Sequence, residues 1–319
     1  MTRFKQGGFF MQVIRGLHNL RPEHRGCVAT IGNFDGVHLG HQSVFQHLLE
    51  KGREFGLPAT VVTFEPQPRE FFQPDGAPAR LTRMREKLQA MKDIGIERVV
   101  ILEFGRKMAS MPAVAFVEEL LVSGLDARFL SVGDDFRFGM GREGDFHLLQ
   151  SMGNQHGFEV ENMNTFKLDA DRVSSTRIRQ LLTDGNLQAA ELCLGRPYRI
   201  CGRVAHGDER GRTIGFPTMN VDLHRRVSPL RGVYAVKVRG LDKQPLPGVA
   251  NIGTRPTVEG DTRYLLETHL FDFDRSVYGE HVQVEFVHKL RDEKRFDSFK
   301  ALRRQILDDA AAARIELGI

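Results

Sequence analysis

Two different rhythms of hydrophobicity divide this chain near Gly195, and one sheet cannot satisfy both. From Gly26 to Gln150, short apolar runs alternate with stretches of helical spacing; the runs are CVATIG (27–32), TVVTF (60–64), RVVILEF (98–104) and ARFLSVG (127–133). Runs that are apolar throughout belong to strands covered on both faces. Between them, His41 to Phe55 places Val44, Phe45, Leu48, Leu49 and Phe55 on about one helical face. Arg83 to Ile94 and Ala113 to Leu121 read as further helices, the second opened by Pro112. Alternating strands and helices predict an α/β domain with a parallel sheet.

After Gly195 the strands follow one another without helices. YRICGRV (198–204), GVYAVKV (232–238), LPGVANIG (246–253), YLLETHLFDF (264–273) and HVQVEFVHKL (281–290) show partial period-2 alternation between Gly, Pro and Asp clusters. That pattern predicts a small antiparallel β-barrel. A terminal helix is expected from Asp297 to about Glu316, with Asp297 as N-cap and Phe299, Leu302, Ile306 and Leu307 on its apolar face. The domain boundary is expected between 184 and 185, near Asp184-Gly185.

The length of 319 residues accommodates two such domains. With 41% hydrophobic and 27% charged residues of both signs, the chain is not disordered throughout. The net charge of +4 is unevenly placed: residues 1–195 hold 23 Lys and Arg against 24 Asp and Glu, and residues 196–319 hold 22 against 17. A basic second half suits nucleic acid or a pocket for phosphorylated small molecules, and no run of five basic residues favours the former. Cys27, Cys193 and Cys201 are too few and scattered for a disulfide framework or a Cys-based zinc site, which implies a reducing, cytoplasmic setting. No apolar stretch is long enough to span a bilayer, and MTRFKQGGFF lacks the core of a signal peptide.

The sharpest chemical feature is GNFDGVHLGH (32–41), where a strand hands over to a helix. Free backbone N–H groups and the helix dipole favour an anion there. Gly32, Gly36 and Gly40 permit close backbone approach, and His38 and His41 stand three apart, so both rings reach the same phosphates. Zinc is the alternative for a histidine pair, although no third ligand has convincing spacing. RVSSTRIR (172–179) offers Ser174, Ser175 and Thr176 at a helix start with Arg177 and Arg179 in its first turn, a clamp for polyphosphate or an ordinary capped helix. TFEPQP (63–68) and Asp135 lie at strand ends, the edge where open α/β sheets bind ligands. Gly139, Gly141 and Gly144 spell G-x-G-x-x-G, but beyond a strand end in a charged loop, which is the wrong context for a dinucleotide site.

These segments together resemble the bacterial bifunctional riboflavin kinase/FMN adenylyltransferase (FAD synthetase) family. GNFDGVHLGH looks like its HxGH nucleotidylyltransferase signature, and TFEPQP, VGDDFRFG (132–139) and RVSSTRIR follow in the family's order. The resemblance implies a Rossmann-like nucleotidylyltransferase domain over 11–184, with residues 1–10 as an N-terminal extension because MQVIRGLHNL resembles the usual start. It makes His38 and His41 catalytic and assigns Gly32, Asn33, Phe34, Asp35, Gly36, Ser174, Ser175, Thr176 and Arg179 to ATP. Phe64, Glu65, Pro66 and Asp135 are expected on the flavin side.

In the second half, HGDERGRTIGFPTMN (206–220) resembles the riboflavin-kinase signature G-F-P-T-A-N, with Met219 in place of the small residue. GVYA (232–235), NIGTRPT (251–257) and ETHLFDF (267–273) are further matches, and together they imply a riboflavin kinase domain over 185–319. The resemblance assigns Gly215 and Pro217 to the nucleotide and Thr218 and Asn220 to Mg2+, a cation that suits oxygen ligands. Glu267 becomes the base for the ribityl hydroxyl, and RDEKRF (291–296) a mobile basic flap bringing Arg291 and Arg295 to the flavin. The implied chemistry converts riboflavin to FMN and FMN to FAD, with ATP as co-substrate and neither nucleic acid nor membrane as partner. The rival readings are a chain with one active half, a nucleic-acid-binding protein, and a redox protein that keeps its flavin.

Overall fold

The computed structural model describes residues 2–6, 9–168, 171–205, 216–223, 227–256 and 262–319. Contacts divide the chain into two compact units, Met1–Pro78 with Thr82–Val173, and Ala79–Leu81 with Ser174–Ile319.

In the first unit, β1 (Thr2–Gln6) and β2 (Phe9–Arg15) pair antiparallel, and β3 (Cys27–Ile31) leads into α1 (Leu39–Phe55). Next come β4 (Ala59–Glu65), α2 (Pro68–Phe72), α3 (Met84–Ile94) and β5 (Arg98–Glu103). The short α4 (Arg106–Ala109) precedes α5 (Ala113–Phe116), which runs on as a π-helix over Val117–Gly124. Then β6 (Ala127–Gly133), α6 (Phe146–His156) and β7 (Glu159–Met163) complete the sheet, and β8 (Lys167–Leu168) and β9 (Asp171–Arg172) form a small ribbon.

The sheet order is β1-β2-β5-β4-β3-β6-β7, parallel from β2 onward. The four expected strands are its centre. Alternate residues feed two cores: Val28, Val61 and Val99 pack with Phe45, Leu48 and Met91 on one face. Ala29, Val62 and Val100 pack with Phe116, Leu120 and Leu130 on the other. Because the chain moves from β3 to β4 on one side and later to β6 on the other, the C-terminal end of β3 is a topological switch point, where loops on either side part and leave a crevice.

The second unit opens with α7 (Ser175–Thr183) and α8 (Leu187–Leu194). Its six strands are β10 (Arg199–Ala205), β11 (Met219–Asp222), β12 (Gly232–Arg239), β13 (Leu246–Pro256), β14 (Thr262–Leu270) and β15 (His281–Arg291). They close as a barrel in the order β10-β11-β14-β13-β12-β15, so no edge is left open. The terminal helix α9 (Phe299–Leu317) lies on the barrel wall.

Two expectations for α9 change. Its N-cap is Ser298, whose hydroxyl accepts from Ala301 N at 3.2 Å, so the helix begins one residue later than expected from Asp297. Its packed face is also rotated: Phe299 and Leu307 are 61% and 49% exposed, whereas Ala310, Ala313 and Leu317 meet Val233, Ala235, Val249 and Phe271. The wall comes close enough that alanines fit where larger side chains would not. Asp309 is buried on this face because Arg291 reaches it with two nitrogens, Nε to Oδ1 at 2.9 Å and a terminal nitrogen to Oδ2 at 2.7 Å, and Gln305 donates to it at 3.0 Å. Arg291 therefore ends β15 as a fixed strut and is not part of a mobile flap. Asp309→Ala strands a largely buried guanidinium and should cost about 3 kcal/mol, visible as a lower thermal midpoint than that of Asp308→Ala beside it.

Candidate functional site

The first candidate site is the turn between β3 and α1. Every residue of β3 is buried, so the turn is delivered at a rigid strand end. Within it Phe34, Gly36 and Val37 take positive φ values of 47°, 86° and 44°. Such conformations persist only where the surroundings enforce them. The enforcing contacts come from far along the chain. Asp35, 3% exposed, accepts from Thr82 through its backbone N at 3.0 Å and its hydroxyl at 3.2 Å, and the same hydroxyl accepts from Gly36 N at 2.9 Å. Asp35, expected to face nucleotide, is thus an internal anchor of the loop. Asn33 presents its carbonyl to Lys87 Nζ at 2.5 Å. Gly32 is required sterically, since a Cβ there would lie 2.9 Å from the Phe34 ring.

His38 is the N-cap of α1, and its Nδ1 accepts from His41 N at 3.4 Å. An accepting Nδ1 leaves Nε2 as the protonated nitrogen of the neutral ring. The two imidazoles stack at 3.6 Å with 20° between planes, and Phe34 meets His41 edge-on at 5.3 Å. Burial, then the neighbouring His38, then Lys87 hold His41 well below the usual histidine range, so it is a neutral donor at physiological pH. Gly40 lets the rings sit this close, because a Cβ there would press on the His38 ring at 3.3 Å. Among the described residues, no group of three or more His, Cys, Asp and Glu stands together as a metal site.

Other expected residues lie on the same sheet edge. Glu65 ends β4 and is joined to Pro66 by a cis peptide, while Phe64 is 8% exposed and packs into the core, edge-on to Phe104 at 5.7 Å. Phe71 and Phe72 each meet Phe104 at 5.7 Å, and Phe72 is 63% exposed. Phe136 and Phe138 stack at 5.5 Å beyond β6. Composition alone could not choose among 23 phenylalanines; the strand ends select these. Asp135 is exposed and pairs with Arg172 at 2.9 Å. The G-x-G-x-x-G loop is a tight hairpin: Phe138 and Gly144 exchange backbone bonds, and a Cβ on Gly139 would meet Ala113 at 2.6 Å.

Ser174, Ser175, Thr176 and Arg179 belong to the second unit. Ser174 caps α7 by accepting from Arg177 N at 3.2 Å, Ser175 and Thr176 form the helix's first turn, and Arg179 Nε donates to the Ala79 carbonyl at 2.6 Å.

The second candidate site lies on the outer wall of the barrel. Asn220 on β11 pairs in register with Glu267 on β14, and Glu267 pairs with Asn251 on β13. Cross-strand partners project to the same side, with Cβ atoms about 5 Å apart. The adjoining residues show which side this is: Met219, Leu266, Thr268 and Ile252 are buried inside the barrel, so the Asn220-Glu267-Asn251 row points outward. Thr218 immediately precedes β11 and is half-buried. Met219, the departure from G-F-P-T-A-N, fills the barrel interior opposite Thr268 and leaves the outward row untouched. The carboxylate of Glu293 lies against Gly253, next to Asn251 on β13. Pro217 is exposed with its carbonyl 2.9 Å from His269 Nδ1, Arg295 is exposed, and Gly215 lies outside the described residues. Thr82 and Lys87 lie in no motif of the sequence, because no local pattern links them to the turn, whereas Asn251 opens the NIGTRPT match without an assigned role there.

A family model described as FAD synthetase matches residues 20–177, and one described as riboflavin kinase matches residues 194–317. The bifunctional riboflavin kinase/FMN adenylyltransferase of Escherichia coli (strain K12) is 54% identical over 310 residues, 97% of this chain and 99% of that protein. Its counterpart in Haemophilus influenzae is 52% identical over 304 residues, 95% of this chain and 98% of that protein. A crystal structure from Streptococcus pneumoniae, described as a macrolide-efflux protein, superposes with a TM-score of 0.78 at 31% identity, covering 95% of this chain and 99% of that one. No described helix of this chain is long and apolar enough to cross a membrane. With near-complete coverage on both sides and both family models matched in order, the chain belongs to the bifunctional riboflavin kinase/FMN adenylyltransferase family.

Proposed function

We infer that this chain makes FMN from riboflavin and FAD from FMN, each with one ATP, at two separate sites. The observation that carries this reading is the presence of two chemically distinct constellations, a histidine-bearing turn at a switch point and a carboxylate flanked by two asparagines on a closed barrel. On the barrel, the ribityl 5′-hydroxyl attacks the γ-phosphorus of ATP, the bond from that phosphorus to the bridging oxygen breaks, and ADP leaves. Glu267 accepts the hydroxyl proton. Asn220, in register with Glu267, and Thr218 just before β11 offer neutral oxygen ligands, a set that fits Mg2+; when bound, the ion would neutralise phosphate charge.

At the β3–α1 turn, a phosphate oxygen of FMN attacks the α-phosphorus of ATP and pyrophosphate departs. His38 and His41 donate to the phosphate oxygens as charge develops, assisted by the N-terminus of α1. The family resemblance assigns Ser174, Ser175, Thr176 and Arg179 at the start of α7 to the ATP phosphates; within the first unit, Glu65, Pro66 and Asp135 flank the isoalloxazine, with Phe72 and Phe104 as the apolar ledge under its ring. Exposed Arg295 serves the flavin of the kinase site, and Gly215 and Pro217 its nucleotide. We place adenylyl transfer in residues 11–184 and phosphorylation in 185–319, a boundary that falls between the two matched segments. We place the enzyme in the cytoplasm, in keeping with its few and scattered cysteines.

Incubation with riboflavin and Mg-ATP, followed by chromatography over time, should show FMN first and FAD after it. Absence of FMN formation, or FMN that never proceeds to FAD, would reduce the chain to one active half or none. Flavin that stays stoichiometrically bound through dialysis without turnover would favour a redox carrier.

A further inference from the structure

Lysine is almost never fully buried unless its ammonium group is held by partners, and Lys87 on α3 is 1% exposed. It lies beneath the turn of residues 32–41, where its Nζ donates to the Asn33 carbonyl at 2.5 Å. Thr63 also donates to that carbonyl, at a longer 3.4 Å. Asn33 directly precedes Phe34, the first of the three positive-φ residues of the turn. Thr82 anchors the middle of the turn through Asp35 and Gly36, and Lys87 anchors its beginning. A methionine would fill a similar volume without the desolvation cost of an ammonium ion, so packing alone does not account for a cation here.

We propose that Lys87 is a positioning residue for adenylyl transfer: a buried cation that fixes the Asn33 carbonyl and, through it, the turn that presents His38 and His41 to the phosphates of ATP. The proposal rests on the assignment of adenylyl transfer to this turn. Lys87 itself is shielded from substrate and acts through the backbone and through its field. A positive charge under a phosphate-binding turn favours the anion above it and disfavours a second cation nearby. The rings that meet His41 are Phe34 from the turn and His38 from the cap of α1, and the charge of Lys87 on α3 acts on it without a direct contact being required. Burial and these two cations or potential cations keep the His41 ring neutral.

The test uses the full chain with Lys87→Met and Lys87→Gln, read against two signals. Lys87→Met should lower kcat for FAD formation from FMN by roughly 10²-fold, the scale of a misplaced catalytic group, with a much smaller change in KM for ATP. Riboflavin phosphorylation should stay at the parental rate, which serves as an internal control. Lys87→Gln keeps a donor for Asn33 and should retain more of the adenylyl-transfer rate than Lys87→Met. In both variants the NMR titration of His41, assigned by its loss in His41→Gln, should move up towards the ordinary histidine range. That readout separates a field effect from simple core filling. A parental kcat in Lys87→Met, or a His41 titration unmoved in both variants, overturns the proposal. Should Lys87→Met fail to fold, Lys87→Gln decides on the same titration. A parental chain that makes FMN but no FAD removes the assignment of the turn, and the proposal with it.

Discussion

Glu267→Ala is expected to abolish FMN formation from riboflavin while leaving FAD formation from supplied FMN intact. Removal of a positioned general base costs roughly 10² to 10⁴ in rate. The substitution should leave the barrel standing, because Leu266 and Thr268 on either side carry the interior packing while Glu267 faces outward. Glu267→Gln keeps the shape and the capacity to hydrogen-bond but cannot take a proton, so it should be nearly as inactive as alanine. Riboflavin kinase and FMN adenylyltransferase rates measured on the same preparation make the comparison internal. Loss of both activities in a folded variant would refute the separation of roles, and a kinase rate close to parental would remove Glu267 as the base.

His38→Ala should have the complementary outcome, with FMN accumulating and FAD failing to appear. Losing one preorganised donor to a developing phosphate charge costs roughly 10² to 10³ in kcat. His38 also has a structural part as the N-cap of α1, and loss of a cap costs about 1 kcal/mol. His38→Asn distinguishes the two contributions, since asparagine is a good N-cap but lacks the ring that stacks on His41. The expected result is an asparagine variant with near-parental thermal stability and the adenylyl-transfer defect of alanine. FAD synthesis at the parental rate in either variant would exclude the histidine from the chemistry.

How much of this was legible beforehand differs by element. β3, β4, β5 and β6 announce themselves because strands covered on both faces read as near-continuous apolar runs rich in Val, Ile and Leu. β7, EVENM, is invisible to the same test: none of its residues is fully buried, and it joins the sheet through backbone pairing with β6. β11 spans only four residues, too short for periodicity to register. On α9 the expected face holds for Leu302 and Ile306, which are half-buried, and fails for Phe299 and Leu307, because Asp309 reads as a solvent residue until Arg291 is placed beside it. In the first site, the motif names His38 and His41, but Thr82 and Lys87 reach the turn from 46 and 54 residues away, and nothing in their own neighbourhood marks them.

Sequence alone determined the class of each half, the strand ends at which turns fall, and the chemical groups each turn carries. These follow from side-chain periodicity, glycine placement and side-chain chemistry, all short-range properties of the chain. Tertiary structure decided which strand ends are neighbours, so that the turn after β3 lies at a switch point. It decided that Asp35 is an anchor and that Lys87 is buried beneath Asn33. It also decided the register that aligns Asn220, Glu267 and Asn251. Strand order and register are set by pairings between distant segments competing for one core, and a one-residue slip would turn Glu267 into the barrel.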